Sequence, residues 1–191
     1  MEVSKTLYVT NRQQWRSWLS KHHKTTGGIW LVYYKKESGK RRIPYNDAVE
    51  EALCYGWIDS LAKSRDKESW VQRFSSWGKK SPLSEMNKER VRTLIHAGKM
   101  TRYGLARIQH HMDGGSAKTQ KLKKFPPPND ILQLLESDPV VWKNFTKFPA
   151  VYKRIRVGWI DDSRNHPKIF TQRLRYFMKM TARNKKFGMV Q

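Results

Sequence analysis

The side chains best suited to chemistry gather in one acidic stretch of an otherwise basic chain. Asp47, Glu50, Glu51 and Asp59 lie within DAVEEALCYGWIDS, residues 47–60, which holds no lysine or arginine although the net charge of the 191-residue chain is +23. Cys54, the single cysteine, sits there too. A thiol ionises beside positive charge, and helical spacing sets Cys54 among Asp47, Glu50 and Glu51, so a packed, unreactive thiol is expected. Glu50 and Glu51 could serve as an acid/base pair, but adjacent helical residues point apart, and pairing with an arginine is the simpler expectation. Trp57, Asp59 and Arg73 form a candidate pocket in which Asp59 and Arg73 would polarise a substrate; the competing reading is a structural ion pair. No catalytic residue is assigned. His22, His23, His96, His110, His111 and His166 show no HxxxH or HExxH spacing, and one cysteine makes no CxxC, so neither a metal nor a cofactor is expected. Phosphate-cradling glycine loops and a GxSxG elbow are absent from the sequence.

These residues need elements to position them. Tyr45, Ala48, Val49, Ala52 and Leu53 recur at helical spacing, Gly56 is a natural stop, and Trp57 to Ser60 open a strand. Residues 57–64 and 69–75 read as a hairpin around Arg65, Asp66, Lys67 and Glu68. With the turn centred near Asp66, Asp59 faces Arg73, a pairing that one residue of slip would undo. Upstream, Leu7 to Val9 read as a strand, Thr10 or Asn11 as the cap of a helix burying Trp15, Trp18 and Leu19, and Ile29 to Tyr34 as a central strand apolar on both faces. Downstream, helices are expected from Ser84 or Asn87 to Gly98, from Thr101 to Gly114, at 129–136 capped by Asn129, at 138–145 capped by Asp138, after Pro149, and over about 167–183.

Positive charge suggests the partner. There are 39 lysines and arginines against 16 acids, and a field of that size attracts polyanions. Lys168, Arg175, Lys179, Arg183 and Lys186 fall on one side of the final helix if it persists that far, and from residue 140 onward thirteen lysines and arginines face two aspartates. Lys35, Lys36, Lys40, Arg41 and Arg42 make a second cluster at a strand end and turn. Lys79 and Lys80 beside Trp77 make a third, where Trp77, set in SSWGKK, is expected to be exposed and to stack on a base. The other tryptophans are expected in or near the core. A solvated face without a partner is the alternative for each cluster.

The segment YNDAVEEALCYGWIDS, followed by Asp66, Arg73-Phe74, Ser81, Ser84, Asn87 and RVRTLIHAGKM, resembles the bacteriocin-protection, YdeI/OmpD-associated family, over about residues 15–104. Residues 145–183 resemble its closing helical segment more loosely, anchored on Trp159-Ile160. Ser75, Ser76 and Trp77 stand where that family has Thr-Pro-Arg, Leu83-Ser84 where it has Trp-Ser, and Val151 to Arg156 where it has Ser-x-Arg-Arg-x-Tyr. The resemblance implies a small bacterial or archaeal protein tied to envelope stress or antimicrobial-peptide resistance, and it transfers no catalytic residue.

An α+β fold is expected, a small antiparallel sheet flanked by helices and followed by a helical C-terminal region. The expected divisions are residues 1–115, a basic Pro-rich linker at 116–128, and 129–191. Hydrophobic residues at 38% argue for a folded chain. One cysteine, no secretory pattern at the N-terminus and no apolar run of transmembrane length point to the cytoplasm. The leading functional expectation is a non-enzymatic protein binding nucleic acid through phosphates with little sequence preference. The alternatives are an envelope-stress or bacteriocin-protection factor acting on a protein partner or an anionic membrane surface, and a small enzyme of unidentified substrate.

Overall fold

The computed structural model describes residues 2–78, 83–109, 112 and 127–188. Almost all of the expected linker, together with Lys79 and Lys80, lies outside the described residues. Two compact units are present: Met1–Pro82 with Arg90–Thr119, and Leu83–Glu89 with Gln120–Gln191.

The first unit is built on a four-stranded sheet in the order β1-β2-β4-β3, from β1 (Thr6–Leu7), β2 (Gly28–Tyr34), β3 (Trp57–Ser64) and β4 (Ser69–Ser76). Helix α1 (Arg12–His22) connects β1 to β2, and that helical crossover makes the pair parallel. The small sheet expected from the sequence is thus present and antiparallel in its β2-β4 and β4-β3 pairings, with the short β1 added in parallel, a pairing for which the sequence carries no sign. Strand β2 is interior, paired to β1 and β4, and Ile29 to Tyr33 are buried on both faces. This follows from apolar residues at consecutive positions.

Caps and stops fix the helices. Asn11 accepts from the Gln14 amide at the start of α1, a contact worth about 1 kcal/mol. Helix α2 (Tyr45–Cys54) begins after Pro44, is capped by Tyr55 and is followed by Gly56, whose φ of +69° suits a residue without a side chain. The indoles hold α1, α2 and the sheet together. Trp15 Nε1 donates to Ala48 O at 3.0 Å, Trp57 Nε1 donates to His23 O at 3.1 Å, and the Trp15 ring meets Phe74 edge-on with centroids 5.5 Å apart. Helix α4 (Arg102–Ile108) is capped by Thr101, whose hydroxyl also donates to Cys54 O at 2.7 Å.

The β3–β4 hairpin forms, but not in the expected register. Ser64 faces Trp70, so the turn is centred one residue later than Asp66, and an irregularity between Asp59 and Ala62 inserts an extra β3 residue. Asp59 consequently faces Phe74, and Arg73 falls opposite Trp30 of β2.

The second unit is helical: α5 (Asn129–Glu136), α6 (Pro139–Lys147), α7 (Ala150–Asp161) and α8 (Pro167–Ala182), with the first part of α3 (Glu85–His96). Asp138 caps α6 through the Val140 and Val141 amides, with Pro139 in the first turn. Asn129 lies inside α5, which starts after Pro128, so the expected Asn129 cap is not made. Ile131, Leu135, Val141, Phe145, Tyr152, Ile160, Leu174 and Phe177 form the core. Their recurrence every three or four residues gives each helix one buried stripe.

Candidate functional site

The three residues of the expected pocket are not brought together. Alternation along β3 puts Trp57 and Asp59 on the face that meets the helices, where Trp57 is fully buried against Trp18. Arg73 points to the other face, near Trp30, and its Nη1 donates to Ser75 Oγ at 3.0 Å. Asp59 instead accepts from the Tyr45 hydroxyl, close to where Arg90 Nη2 donates to Asn46 Oδ1 at 2.7 Å. Burial first, and then the bond to Asp59, push the Tyr45 phenol well above its ordinary value. A phenol held neutral in this way positions a carboxylate and is a poor base.

The acidic stretch is neutralised by α1. Arg12 reaches Asp47 at 2.8 Å and Glu51 at 3.3 Å and also contacts Glu50, while Arg16 reaches Glu51 at 2.7 Å. The hydrogen bond to Asp47 is the main reason that Arg12 is raised above its ordinary value. Glu50 and Glu51 are thus occupied as ion-pair partners. Cys54 is buried, and desolvation followed by the Glu51 charge lifts its thiol to about 11, so it is protonated and inert at neutral pH.

Of the basic clusters, that near the end of β2 is partly spoken for. Lys40 bridges Glu68 at 3.0 Å and lies 4.5 Å from the Tyr34 ring centroid, and Arg42 donates to Tyr34 O at 2.9 Å. Lys35, Lys36 and Arg41 are exposed. Trp77 corrects the expectation of an exposed stacking platform. It is only 2% exposed; its amide donates to Gly56 O and its carbonyl accepts from Arg107 Nη2 at 2.7 Å. The polar neighbours in SSWGKK made it look like a surface residue, whereas β4 runs on to Ser76 and the Trp77 amide is fixed to Gly56, just beyond α2.

Helix α8 is the element most suited to binding. Leu174, Phe177 and Thr181 are buried, and Lys168, Arg175 and Lys179 are exposed on the opposite side. The helix ends at Ala182, with Arg183 as its cap and Asn184 at φ +52°, so Arg183 ends the stripe and Lys186 lies beyond it. No acidic residue follows Asp162 in the sequence. Alongside the cations two large apolar side chains stand in solvent: Ile169, 42% exposed, and Tyr176, 45% exposed. Lys168 and Arg175 line an open depression of about 510 Å³ with Pro167, Thr171 and Gln172. By contrast, Arg164 is tied to Asp130 at 2.8 Å, and Arg173 donates to Trp159 O.

Two features of α7 escaped the sequence. Arg154 is buried and contacts Glu89 and, at 3.7 Å, Glu85 of α3. Arg156 is buried among the rings of Tyr152, Trp159 and Phe187, and among the described residues no carboxylate pairs with it. An arginine every second residue reads as surface charge, and only the four-residue spacing of Tyr152, Arg156 and Ile160 hinted that the Arg156 position faces inward. Among the described residues no His, Cys, Asp or Glu cluster is arranged to hold a metal, and no helix is long and apolar enough to cross a membrane.

No curated protein and no solved structure matches the chain. Two family models do. Residues 7–107 match a domain of unknown function (DUF8412), and residues 124–184 match the family described as bacteriocin-protection, YdeI or OmpD-associated. The latter match covers the helical C-terminal region that had resembled the family only loosely, and the residues that first carried the resemblance lie mostly within the other domain. The chain thus belongs to the DUF8412 family through the region around its sheet, and its second unit carries a domain of the bacteriocin-protection, YdeI or OmpD-associated family.

Proposed function

We propose that the chain is a non-enzymatic protection factor that works at an anionic membrane surface, from the cytoplasmic side, by docking the exposed face of α8. The observation that carries this is the pairing of Lys168, Arg175, Lys179 and Arg183 with exposed Ile169 and Tyr176 on a helix without an acidic residue. Each cation near an anionic leaflet contributes about 1 kcal/mol. Tyrosine favours the headgroup level, and a neighbouring isoleucine adds apolar burial that a purely ionic contact lacks. The family matched by residues 124–184 supports the same direction. Nucleic acid is the second reading, favoured by the exposed Lys35, Lys36 and Arg41 as a separate phosphate-contacting cluster.

Co-sedimentation with vesicles, anionic or zwitterionic, across a salt series and with competing duplex and single-stranded DNA, separates the two. Binding to anionic vesicles that weakens with salt is expected, and the triple variant Lys168→Glu, Arg175→Glu, Lys179→Glu should lower affinity by about a hundredfold or more. The same variant should lose protection in a bacteriocin-killing assay. Absence of vesicle binding at low salt overturns the membrane reading, and DNA binding under those conditions moves the function to the second one.

A further inference from the structure

We infer that Arg156 is a concealed receptor for a phosphate group, covered in this conformation by Phe187 and Gly188. Arg156 is only 6% exposed, yet among the described residues its Nε and Nη2 have no hydrogen-bond partner. These two N–H groups form one edge of the guanidinium, the parallel fork that grips two oxygens of a phosphate or carboxylate. A buried charged donor left unmet is costly, and burial accordingly pulls the guanidinium below its ordinary value. The aromatic setting offsets part of this. The guanidinium carbon lies 4.5 Å from the Phe187 ring centroid, 5.5 Å from Tyr152 and 6.0 Å from Trp159, and the Tyr152 hydroxyl also interacts with the group. Ring faces attract the charge but supply no oxygen in line with the fork.

The cover is a short one. Gly188 has φ +74°, and a Cβ built there would stand 2.1 Å from Nη2, so only glycine lets the backbone close over the fork. Phe187 N–H donates to the Tyr152 hydroxyl at 3.2 Å, and its ring packs against Tyr152, Trp159, Tyr176 and Phe177, so opening the site means displacing one half-buried ring and one hydrogen bond. Lys185 and Lys186, both exposed, precede it. With no acid after Asp162, the approach favours a doubly charged oxyanion, which is why a phosphate rather than a carboxylate is assigned. Displacing Phe187 and Gly188 would open the fork, and a phosphate would replace ring contacts with two charge-assisted hydrogen bonds.

The site adjoins the α8 face at Tyr176, whose ring meets Phe187 edge-on with centroids 4.8 Å apart, but it uses none of Lys168, Arg175 and Lys179, so the two can fail separately. The full chain is titrated with inorganic phosphate while the Arg156 Nε–H resonance and hydrogen exchange at the Phe187 amide are followed. Phosphate should shift the Nε–H signal and speed exchange at Phe187. Arg156→Lys, which keeps charge but loses the fork, should weaken binding about tenfold or more. Gly188→Ala, which cannot close the cover, should bind more tightly, and Lys168→Glu with Arg175→Glu should still show the Nε–H shift at saturating phosphate. Vesicles containing phosphatidic acid then separate the sources: an Nε–H shift with vesicles identifies a lipid headgroup, and one with inorganic phosphate alone identifies a soluble phosphate. No shift with either overturns the inference, as does equal binding by a folded Arg156→Lys variant or weaker binding by Gly188→Ala.

Discussion

Glu51 holds the first unit's polar seam together, because a carboxylate 4% exposed is matched to two arginines that are each about one-third exposed. Glu51→Gln keeps the shape and removes the charge, so it should destabilise the protein to urea by about 1–3 kcal/mol, less than a fully enclosed pair would lose. Cys54 gives a pH signature. Its thiol moves from an ordinary value near 9 to about 11 on folding. The native state then binds more protons than the unfolded chain between those values, so this group's contribution falls as pH rises from about 9 toward 11. Urea melts of the parent and of Cys54→Ala across that range should show the parent losing stability more steeply, by up to about 1.4 kcal/mol per pH unit. Iodoacetamide should label Cys54 at pH 8 only after unfolding.

At the scale of elements, Gly104 sets how closely α4 approaches the end of α2. A Cβ there would lie 2.1 Å from Cys54 O, a backbone atom that cannot swing aside. Gly104→Ala should therefore cost about 1–3 kcal/mol in a denaturant melt despite alanine's better helix propensity. Most elements were legible because they depend on neighbours in sequence: the Asn11, Thr101 and Asp138 caps, the stop at Gly56, and the apolar faces of β2. The register of β3 was not, since the extra residue between Asp59 and Ala62 answers to packing across the sheet. One residue of slip separated Asp59 from Arg73 and dissolved the expected pocket. Trp77 and Arg156 were missed for the same reason in opposite guises, an indole among polar neighbours and a guanidinium among apolar ones. The cations of α8 were legible, since helical spacing alone sets Lys168, Arg175 and Lys179 on the side away from Leu174 and Phe177.

In the molecule as a whole, charge is sorted rather than spread. The acids of α2 are paired with α1, Glu85 and Glu89 with Arg154, and Asp130 and Asp161 with Arg164, and among the described residues Lys168, Arg175 and Lys179 of α8 form no ion pair. Raising ionic strength should accordingly weaken association with anionic surfaces far more than it lowers the melting temperature, which a paired binding and melting series would read directly.

Helix α3 belongs to both units, its first residues grouping with the helical one although some thirty residues intervene before that unit resumes. A gene fragment cut where the bacteriocin-protection match begins, at residue 124, would encode Arg154 without Glu85 and Glu89. That fragment should express as a poorly folded species, while one beginning at residue 83 should yield sharper amide spectra and a cooperative melt. The stretch the family model matches is thus shorter than the stretch expected to fold, and anyone trimming this protein for crystals or fusions should choose the cut by where the counter-charges lie.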